Sequence, residues 1–185
     1  RKRLEFCTEL FMDRIYDSSK RHFNLFFDNA WNSLVEMDSY GHDVEAGWLL
    51  CEAARVLEDR QLMDRANRLA LDVTDACLAE GLSDKGYMMY EKKGGRTTGH
   101  ASWWGQIETM IACVNAWQIS GNDVYLQSAD TVWTFVKDCM IDREYGEWYS
   151  DCFDGEPKKD TPKVSMWRCP YHTVRLGVEI HNRLK

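Results

Sequence analysis

The distribution of proline is the feature of this sequence that most limits its fold. All three prolines among the 185 residues lie in the stretch from Pro157 to Pro170. Proline inside a helix removes a backbone hydrogen bond and clashes with the preceding turn, so residues 1–156 can form helices without such breaks. Apolar side chains recur there every three or four positions, the period of a helix that is buried on one face. This pattern predicts helices over about 2–16, 43–58, 62–80, 102–119 and 124–141, with a last one over 171–184.

The connections between the predicted helices alternate between short turns and long loops. Residues 45–80 and 103–140 are predicted to be similarly built helical hairpins, and 81–99, with five glycines, is predicted to be a long loop. Alternating aromatic residues and an Asp-Gly pair predict a small β-hairpin within 143–157. We therefore expect a single all-α domain over residues 1–185, made of helical hairpins arranged as a toroid or a solenoid.

Composition excludes several classes of protein. Hydrophobic residues make up 44% of the chain and aromatic residues 12%, which is too much buriable surface for a disordered chain. No apolar run approaches the roughly 18–20 residues of a membrane span. The 30 acidic residues outnumber the 23 basic ones, for a net charge of -7, and the basic residues are scattered. This balance argues against nucleic acid or anionic membranes as partners, because both are bound by clustered Lys and Arg.

The seven cysteines also restrict the class of protein. Their number is odd, and no two stand in a CxxC pair. A zinc site and a disulfide scaffold are therefore not expected, and a reducing compartment fits best, which predicts a cytoplasmic location. The chain opens at Arg1, within an amphipathic stretch, so we also expect the sequence to be part of a longer protein.

The first candidate motif is SYGHDVEAGWLL, which contains His42 and Glu45. Residues three apart on a helix share a face, so Glu45 is predicted to hydrogen-bond one imidazole nitrogen of His42 and to raise its basicity. The alternative is a histidine at a helix start beside a solvated glutamate.

The second motif is SWWGQIE, with Trp103, Trp104 and Glu108. Neighbouring tryptophans point in different directions on a helix, so at most one is expected in the core. An aromatic face beside a carboxylate suits a sugar, which presents apolar C–H faces ringed by hydroxyl groups. The alternative is one core tryptophan and one resting on the surface.

The third motif is MWRCPYHTVR, with Trp167, His172 and Arg175. Pro170 at a helix start would place His172 in the first helical turn, and Arg175 one turn later could hold a hydroxyl group or an anion. The alternative is an ordinary aromatic-rich helix start. Of the other histidines, His22 and His181 are expected at the surface.

No phosphate loop, dinucleotide fingerprint, GxSxG or HExxH motif occurs, and no metal-ligand set or nucleophilic triad is visible. The chemistry that remains is proton transfer by two histidines, whose unperturbed pKa of about 6.5 lets one act as base and the other as acid near neutrality.

Taken together and in this order, SYGHDVEAGWLL, SWWGQIE, GEWYSDCFDGEP and WRCPYHTVR resemble the N-acylglucosamine 2-epimerase superfamily. One such motif would be weak evidence, but four in register over about residues 26–179 are specific. The SYGHD start and the CPYH ending look more like the members that epimerise disaccharides than those that act on N-acylglucosamine.

That resemblance implies a fold and a set of partners. Members of the family fold as an (α/α)6 barrel about twice as long as this chain, so the match implies the C-terminal half of a barrel, with three of its six hairpins. A small sugar is the implied substrate, and neither cofactor nor metal is needed. The barrel would be completed by the missing N-terminal half or by a second copy in a homodimer.

The resemblance further implies epimerisation at carbon 2 of the reducing-end glucose of a disaccharide such as cellobiose, through an enediolate. Alternatives are an N-acylglucosamine 2-epimerase, an aldose–ketose isomerase and a non-catalytic sugar-binding half-barrel. Glycoside hydrolysis fits less well, because it requires paired carboxylates at the motif centres. The implied acid/base pair is His42 and His172, with Glu45 supporting His42, while the implied substrate-binding residues are Trp103, Trp104, Glu108, Trp167 and Arg175.

Overall fold

The computed structural model describes all 185 residues, and most of the chain is helical. Its helices are α1 (Lys2–Leu10), α2 (Tyr40–Leu57), α3 (Arg60–Gly81), α4 (Trp103–Ser120), α5 (Val124–Phe135) and α6 (Tyr171–Arg183). Two five-residue π-helical segments, Phe11–Ile15 and Val136–Met140, extend α1 and α5. All six helices predicted from the apolar period are present. None of them is both long enough and apolar enough to cross a membrane.

Short strands occupy the connections between the helices. They are β1 (Tyr16–Asp17), β2 (His22–Phe23), β3 (Met37–Asp38), β4 (Glu91–Lys93), β5 (Arg96–Thr98), β6 (His100–Ser102), β7 (Asp151–Phe153) and β8 (Glu156–Pro157). They form three antiparallel sheets, β1–β2, β3–β4–β5 and β6–β7–β8.

Two predictions are corrected by these strands. The all-α prediction becomes a mostly helical chain with three small sheets, and the loop predicted over 81–99 contains the hairpin of β4 and β5. Gly94 and Gly95 turn that hairpin with positive φ angles, which glycine adopts without a steric penalty. The strands have two or three residues each, too few for an alternating apolar pattern to stand out in the sequence.

The two predicted helical hairpins are α2–α3 and α4–α5. Glu58 ends α2 in a left-handed conformation, and the carboxylate of Asp59 then accepts hydrogen bonds from the backbone N–H groups of Gln61 and Leu62, which start α3. Ser102 caps α4 through Gly105, and Gly121 ends it with a φ of 70°. Local capping chemistry therefore accounts for both reversals of the chain.

Helix α4 lies at the centre of the molecule. Every residue from Gly105 to Ala116 is buried, and α2, α3, α5 and α6 all pack against this helix. The sequence explains its position, because α4 carries only one charged residue, and a helix that is apolar on all sides is stable only when it is surrounded. That one charge, Glu108, is fully buried and needs partners inside the protein.

Candidate active site

The Glu108 carboxylate is the centre of the candidate site. It accepts hydrogen bonds from Nε1 of Trp48 at 2.9 Å, from Nδ1 of His172 at 2.6 Å and from a guanidinium nitrogen of Arg175 at 3.1 Å. Trp48 comes from α2, while His172 and Arg175 come from the start of α6. The buried charge is thus balanced by a cation and by two neutral donor side chains. Donors from α2 and α6, which are far apart in sequence, thus converge on one side chain of α4.

Arg175 joins the two carboxylates of the site. Besides Glu108, its guanidinium donates to Oε1 of Glu45 at 2.6 Å, and it stacks over the rings of Tyr171 at 4.2 Å and Trp48 at 5.3 Å. Glu45 and Glu108 therefore share one positive charge.

This arrangement corrects the predicted hydrogen bond between Glu45 and His42. The two residues do share a face of α2, but Arg175 reaches that face from α6 and binds the Glu45 carboxylate. A charge-assisted bond to a guanidinium is stronger than a bond to a neutral imidazole. Sequence spacing within one helix carries no information about a partner that is 130 residues away.

His42 is instead held by the residue at the N-cap position of its own helix. Nδ1 of His42 lies 2.8 Å from the hydroxyl oxygen of Ser39, the residue just before α2. The ring is exposed, and its centroid lies 4.7 Å from that of Trp104. Because Nδ1 is engaged, Nε2 is the nitrogen that remains available to a ligand.

Trp104 connects the two histidines. Its ring centroid lies 6.0 Å from that of His172. Its close approach to α2 requires Gly41, because a Cβ atom at that position would stand 2.6 Å from the Trp104 ring. The glycine in SYGHD is therefore the place where α4 packs its tryptophan against the first turn of α2.

The two other predicted tryptophans differ in position. Trp103 is half-buried, edge-on to His172 with centroids 6.3 Å apart, and the buried guanidinium of Arg168 lies 4.9 Å from its ring. Trp167 has 86% of its surface exposed and makes no aromatic contact with the cluster. The structure thus brings together every predicted site residue except Trp167. Neither Trp103 nor Trp104 is a fully buried core residue.

The positions of the remaining histidines bear on the sequence predictions. His181 is exposed, as predicted, but the prediction of a surface position for His22 is wrong: it is buried and donates from Nδ1 to Asp43. His100 stacks between Tyr90 and Phe153, at centroid distances of 4.5 and 5.1 Å. The sequence could predict neither the Asp43 partner of His22 nor the two aromatic partners of His100, because these contacts form between separate elements.

Three contributors to the site had no role assigned to them in the sequence analysis. Trp48 lies one turn after Glu45 on the same face of α2, and that spacing was the available signal. Ser39 stands three residues before His42, the spacing of a helix cap and its third residue. Tyr171 is the first residue of α6, and its edge faces His172 at 4.8 Å.

A metal ion has little room in this cluster. Ligand atoms of Glu45, Glu108 and His172 lie within 4.8 Å of one another, a spacing that suits a cation. Arg175 already bonds both carboxylates, so a positive charge occupies the position where a metal ion would bind. The arrangement is better suited to holding two imidazoles and an aromatic face around a small polar ligand.

Comparisons with known proteins found a matching family and several similar proteins. Residues 1–175 match the model of the N-acylglucosamine 2-epimerase (GlcNAc 2-epimerase) family. A cellobiose 2-epimerase of Bacteroides fragilis is 40% identical over 176 residues, covering 92% of this chain and 44% of the relative. One from Dictyoglomus turgidum is 33% identical over 185 residues, covering 100% of this chain and 47% of the relative.

A solved structure of a sugar epimerase from a ruminal bacterium superposes on 98% of this chain with a TM-score of 0.94 and 34% identity. The match covers 47% of that protein. The chain therefore spans about half the length of the relatives it matches.

Proposed function

Because the chain belongs to the N-acylglucosamine 2-epimerase family, we propose that it supplies half of the active site of a sugar 2-epimerase. The proposed reaction interconverts the glucose and mannose forms of the reducing-end sugar of a disaccharide such as cellobiose. The named activity of the relatives supports this choice, and so do the two imidazoles placed around one tryptophan.

The observation that carries the proposal is the arrangement of His42, Trp104 and His172. Both imidazoles lie beside the Trp104 ring, and each has its Nδ1 engaged by a protein group. Each Nε2 is then free to exchange a proton with a sugar that stacks on the tryptophan. An epimerase needs such a pair, because the proton leaves one face of carbon 2 and returns to the other.

His172 is the better placed of the two to act as a base. An ionised Glu108 only accepts hydrogen bonds, so Nδ1 of His172 carries the proton and Nε2 carries the lone pair. The carboxylate also stabilises the imidazolium that forms when Nε2 takes the proton from carbon 2. Its bond to Arg175 keeps the carboxylate oriented.

His42 has the complementary role. The Ser39 hydroxyl can donate to Nδ1, which leaves Nε2 with a proton to give. In the proposed reaction the ring-opened aldose loses its carbon-2 proton to one histidine and becomes an enediolate. After rotation about the bond between carbons 2 and 3, the other histidine protonates the opposite face of carbon 2. Each positioned group of this kind contributes about 10²–10⁴-fold in rate.

The sugar would rest on Trp104 and Trp103, with Trp167 reaching a more distant part of the substrate. Aromatic faces suit the C–H faces of sugars, while Arg175, Glu45 and Glu108 lie within the same cluster. No cofactor or metal enters the proposed reaction.

We also propose that the chain forms half of an (α/α)6 barrel. An apolar cleft of about 780 Å³ opens between α1 and α2, with His42 and Glu45 at its wall. Leu4, Phe11, Leu49 and Val56 line this cleft and are exposed to solvent. Exposed apolar surface of this extent marks an interaction site. The other half of a barrel, or a second copy of the chain, would cover it.

The test is proton NMR of cellobiose in heavy water. The samples are the 185-residue chain alone and a chimera in which it replaces the matching part of the Bacteroides fragilis relative. Deuterium at carbon 2 together with a mannose-type product supports the proposal. If only the chimera is active, the site residues that the 185-residue chain lacks lie in the other half. A folded chimera without exchange overturns the proposed function.

The same spectra separate the alternatives. An aldose–ketose isomerase shares the enediolate but returns the proton to carbon 1, so it yields a ketose. A sugar-binding half-barrel would broaden or shift cellobiose resonances without any exchange. An N-acylglucosamine 2-epimerase would act on N-acetylglucosamine in a parallel sample and leave cellobiose unchanged.

A further inference from the structure

A second histidine–carboxylate pair lies outside the candidate site. His22, on β2, has 3% of its side chain exposed, and its Nδ1 donates to Oδ2 of Asp43 at 2.8 Å. Its Nε2 is buried without a hydrogen-bond partner, 3.6 Å from Oε1 of Glu80 at the end of α3. The ring therefore stands between carboxylates of two different helices. Buried polar groups held in this way call for an explanation.

Asp43 ties β2 to the first turn of α2. It is fully buried, and its second oxygen, Oδ1, accepts the backbone N–H of Phe23 at 2.8 Å. Both of its oxygens are thus bonded to consecutive residues of β2. An acidic side chain in the first turn also interacts favourably with the helix dipole. Asp43 directly follows His42 in the sequence, so the anchor and the predicted catalytic residue share one turn.

Ser39 connects that anchor to the imidazole of His42. A serine before a helix normally accepts a backbone N–H of the first turn with its hydroxyl oxygen. Here the hydroxyl makes no such bond and contacts Nδ1 of His42 instead. The backbone N–H of Asp43 donates to the carbonyl oxygen of Ser39 at 2.9 Å. The position of Asp43 therefore determines the position of Ser39, which in turn orients His42.

We propose that His22 and Asp43 are positioning residues for His42. The buried pair holds the first turn of α2 against β2. Ser39 is fixed by that turn, and its hydroxyl group orients the His42 imidazole. The inference rests on the proposed function only in giving His42 a catalytic task. The positioning itself is a property of the chain and can be measured without any sugar.

The charge of His22 provides the observable. A protonated ring donates to Asp43 and is attracted by Glu80, whereas a neutral ring loses the second attraction. Burial lowers the pKa of His22, but the hydrogen bond and charge of Asp43 outweigh it and raise that pKa above the ordinary value. The titratable and charged groups that face His22 are Asp43 and Tyr40 on α2, Cys77 and Glu80 on α3, Asp38 on β3, Lys92 on β4, and Lys20 and Glu36 in the adjoining loops.

The experiment is a pH titration of the histidine side-chain resonances of the 185-residue chain by NMR, between about pH 5 and 9. The expected result is that the His42 resonance shows two inflections, its own and a second one at the midpoint of His22. His181, exposed at the end of α6, is the internal control and should show a single inflection. A His42 resonance with one inflection in the unmodified chain overturns the proposal.

Two variants sharpen the assignment. His22→Gln should remove the second inflection of His42 and leave His181 unchanged. Glu80→Gln removes the charge of the partly exposed carboxylate, which also pairs with Lys92, and leaves the Asp43 bond intact. It should move the His22 midpoint and the second His42 inflection down together. If the second His42 inflection persists in a folded His22→Gln chain, its source is another group and the proposal fails. None of these readouts requires that the chain turn over a sugar.

Discussion

The chain contains two buried carboxylates that each bind a histidine through Nδ1, and they differ in what surrounds the other face of the ring. In the first pair, Glu108 holds His172, whose side chain is 20% exposed beside Trp103 and Trp104. In the second, Asp43 holds His22, which is 3% exposed and enclosed between α2 and α3. The hydrogen-bonded pairs are chemically alike, but only the first can meet a ligand.

The difference shows that exposure, and not the pair itself, separates a candidate for proton transfer from a structural anchor. Proton transfer to a substrate requires a free nitrogen within hydrogen-bonding reach of it. Nε2 of His22 is buried and faces Glu80, whereas His172 lies at the start of α6, where the site opens. Changes to the open pair should therefore affect turnover directly, whereas changes to the closed pair should affect folding and should reach turnover only through the position of His42.

The largest expected effect is on turnover. His172→Ala removes the proposed base and should lower kcat by about 10²–10⁴-fold, measured as deuterium uptake at carbon 2 in a form of the protein that is active on cellobiose. The free energy of unfolding should fall by about 1–3 kcal/mol, because the buried Glu108 carboxylate loses one of its hydrogen-bond donors. His181→Ala, on the same helix, is the control and should retain full activity. Equal losses of activity in both variants would mean that turnover depends on α6 as a whole and not on His172 in particular.

On the closed pair, Asp43→Ala should destabilise the fold by about 3–5 kcal/mol, because it leaves the buried His22 ring and the N–H of Phe23 without their acceptor. Urea unfolding of the 185-residue chain measures this. Asp64→Ala, at an exposed position of α3, is the control and should stay within about 0.5 kcal/mol. A loss below 1 kcal/mol for Asp43→Ala would contradict the anchoring role.

Glu108→Gln tests whether the carboxylate of the open pair acts through His172. The amide keeps the volume but loses the charge, so it no longer dictates which nitrogen of His172 carries the proton. We expect kcat to fall by up to about 10⁴-fold with KM nearly unchanged, the size of the loss when an amide replaces the carboxylate that orients a catalytic histidine. A rise in KM at constant kcat would instead assign Glu108 to sugar binding.

Trp167→Ala asks whether the exposed tryptophan that lies apart from the open pair contacts the sugar. A contact with an aromatic face contributes about 0.5–1.5 kcal/mol, which corresponds to a rise in KM of about 2- to 12-fold. Stability should remain within about 0.5 kcal/mol, because the side chain is almost fully exposed. An unchanged KM for cellobiose would exclude Trp167 from the substrate site.

The smallest expected effect is the dependence of folding stability on pH, because a change of pH adds or removes a proton and leaves every side chain in place. The pKa of His22 is raised in the folded chain, so the proton binds more tightly there than in the unfolded chain. This contribution to stability is fully present below the unfolded pKa of about 6.5 and is lost as the pH rises through the raised folded value. The stability difference between the unmodified chain and His22→Gln should therefore shrink as the pH rises above 6.5.

His100 provides a matched control with the opposite sign. Burial lowers its pKa, which the charge of Asp151 only partly offsets. Its contribution to stability is present above pH 6.5 and is lost as the pH falls through the folded value. The difference between the unmodified chain and His100→Gln should therefore shrink on acidification, and equal slopes for the two variants would contradict the assignment.

The helices and their order could be predicted from the sequence, because they depend on local features. The apolar period, the absence of proline before residue 157 and capping residues such as Asp59 and Gly121 act within one or two turns. Three of the motifs likewise identified most of the side chains that meet at the site, with Trp167 the only predicted one that lies apart. Short strands such as β4 and β5 escaped prediction because three residues carry too little pattern.

What only the tertiary structure decided is which groups pair. The sequence by itself placed His42 and Glu45 on one face of a helix, but Arg175 arrives from α6 and binds Glu45, and Glu108 takes His172. The same applies to His22, a polar residue that was predicted at the surface but is buried with Asp43 as its hydrogen-bond partner. Spacing determines which side chains share a face. Partners are chosen by long-range packing, since a buried charge must be matched by whichever opposite charge or donor the fold brings to it.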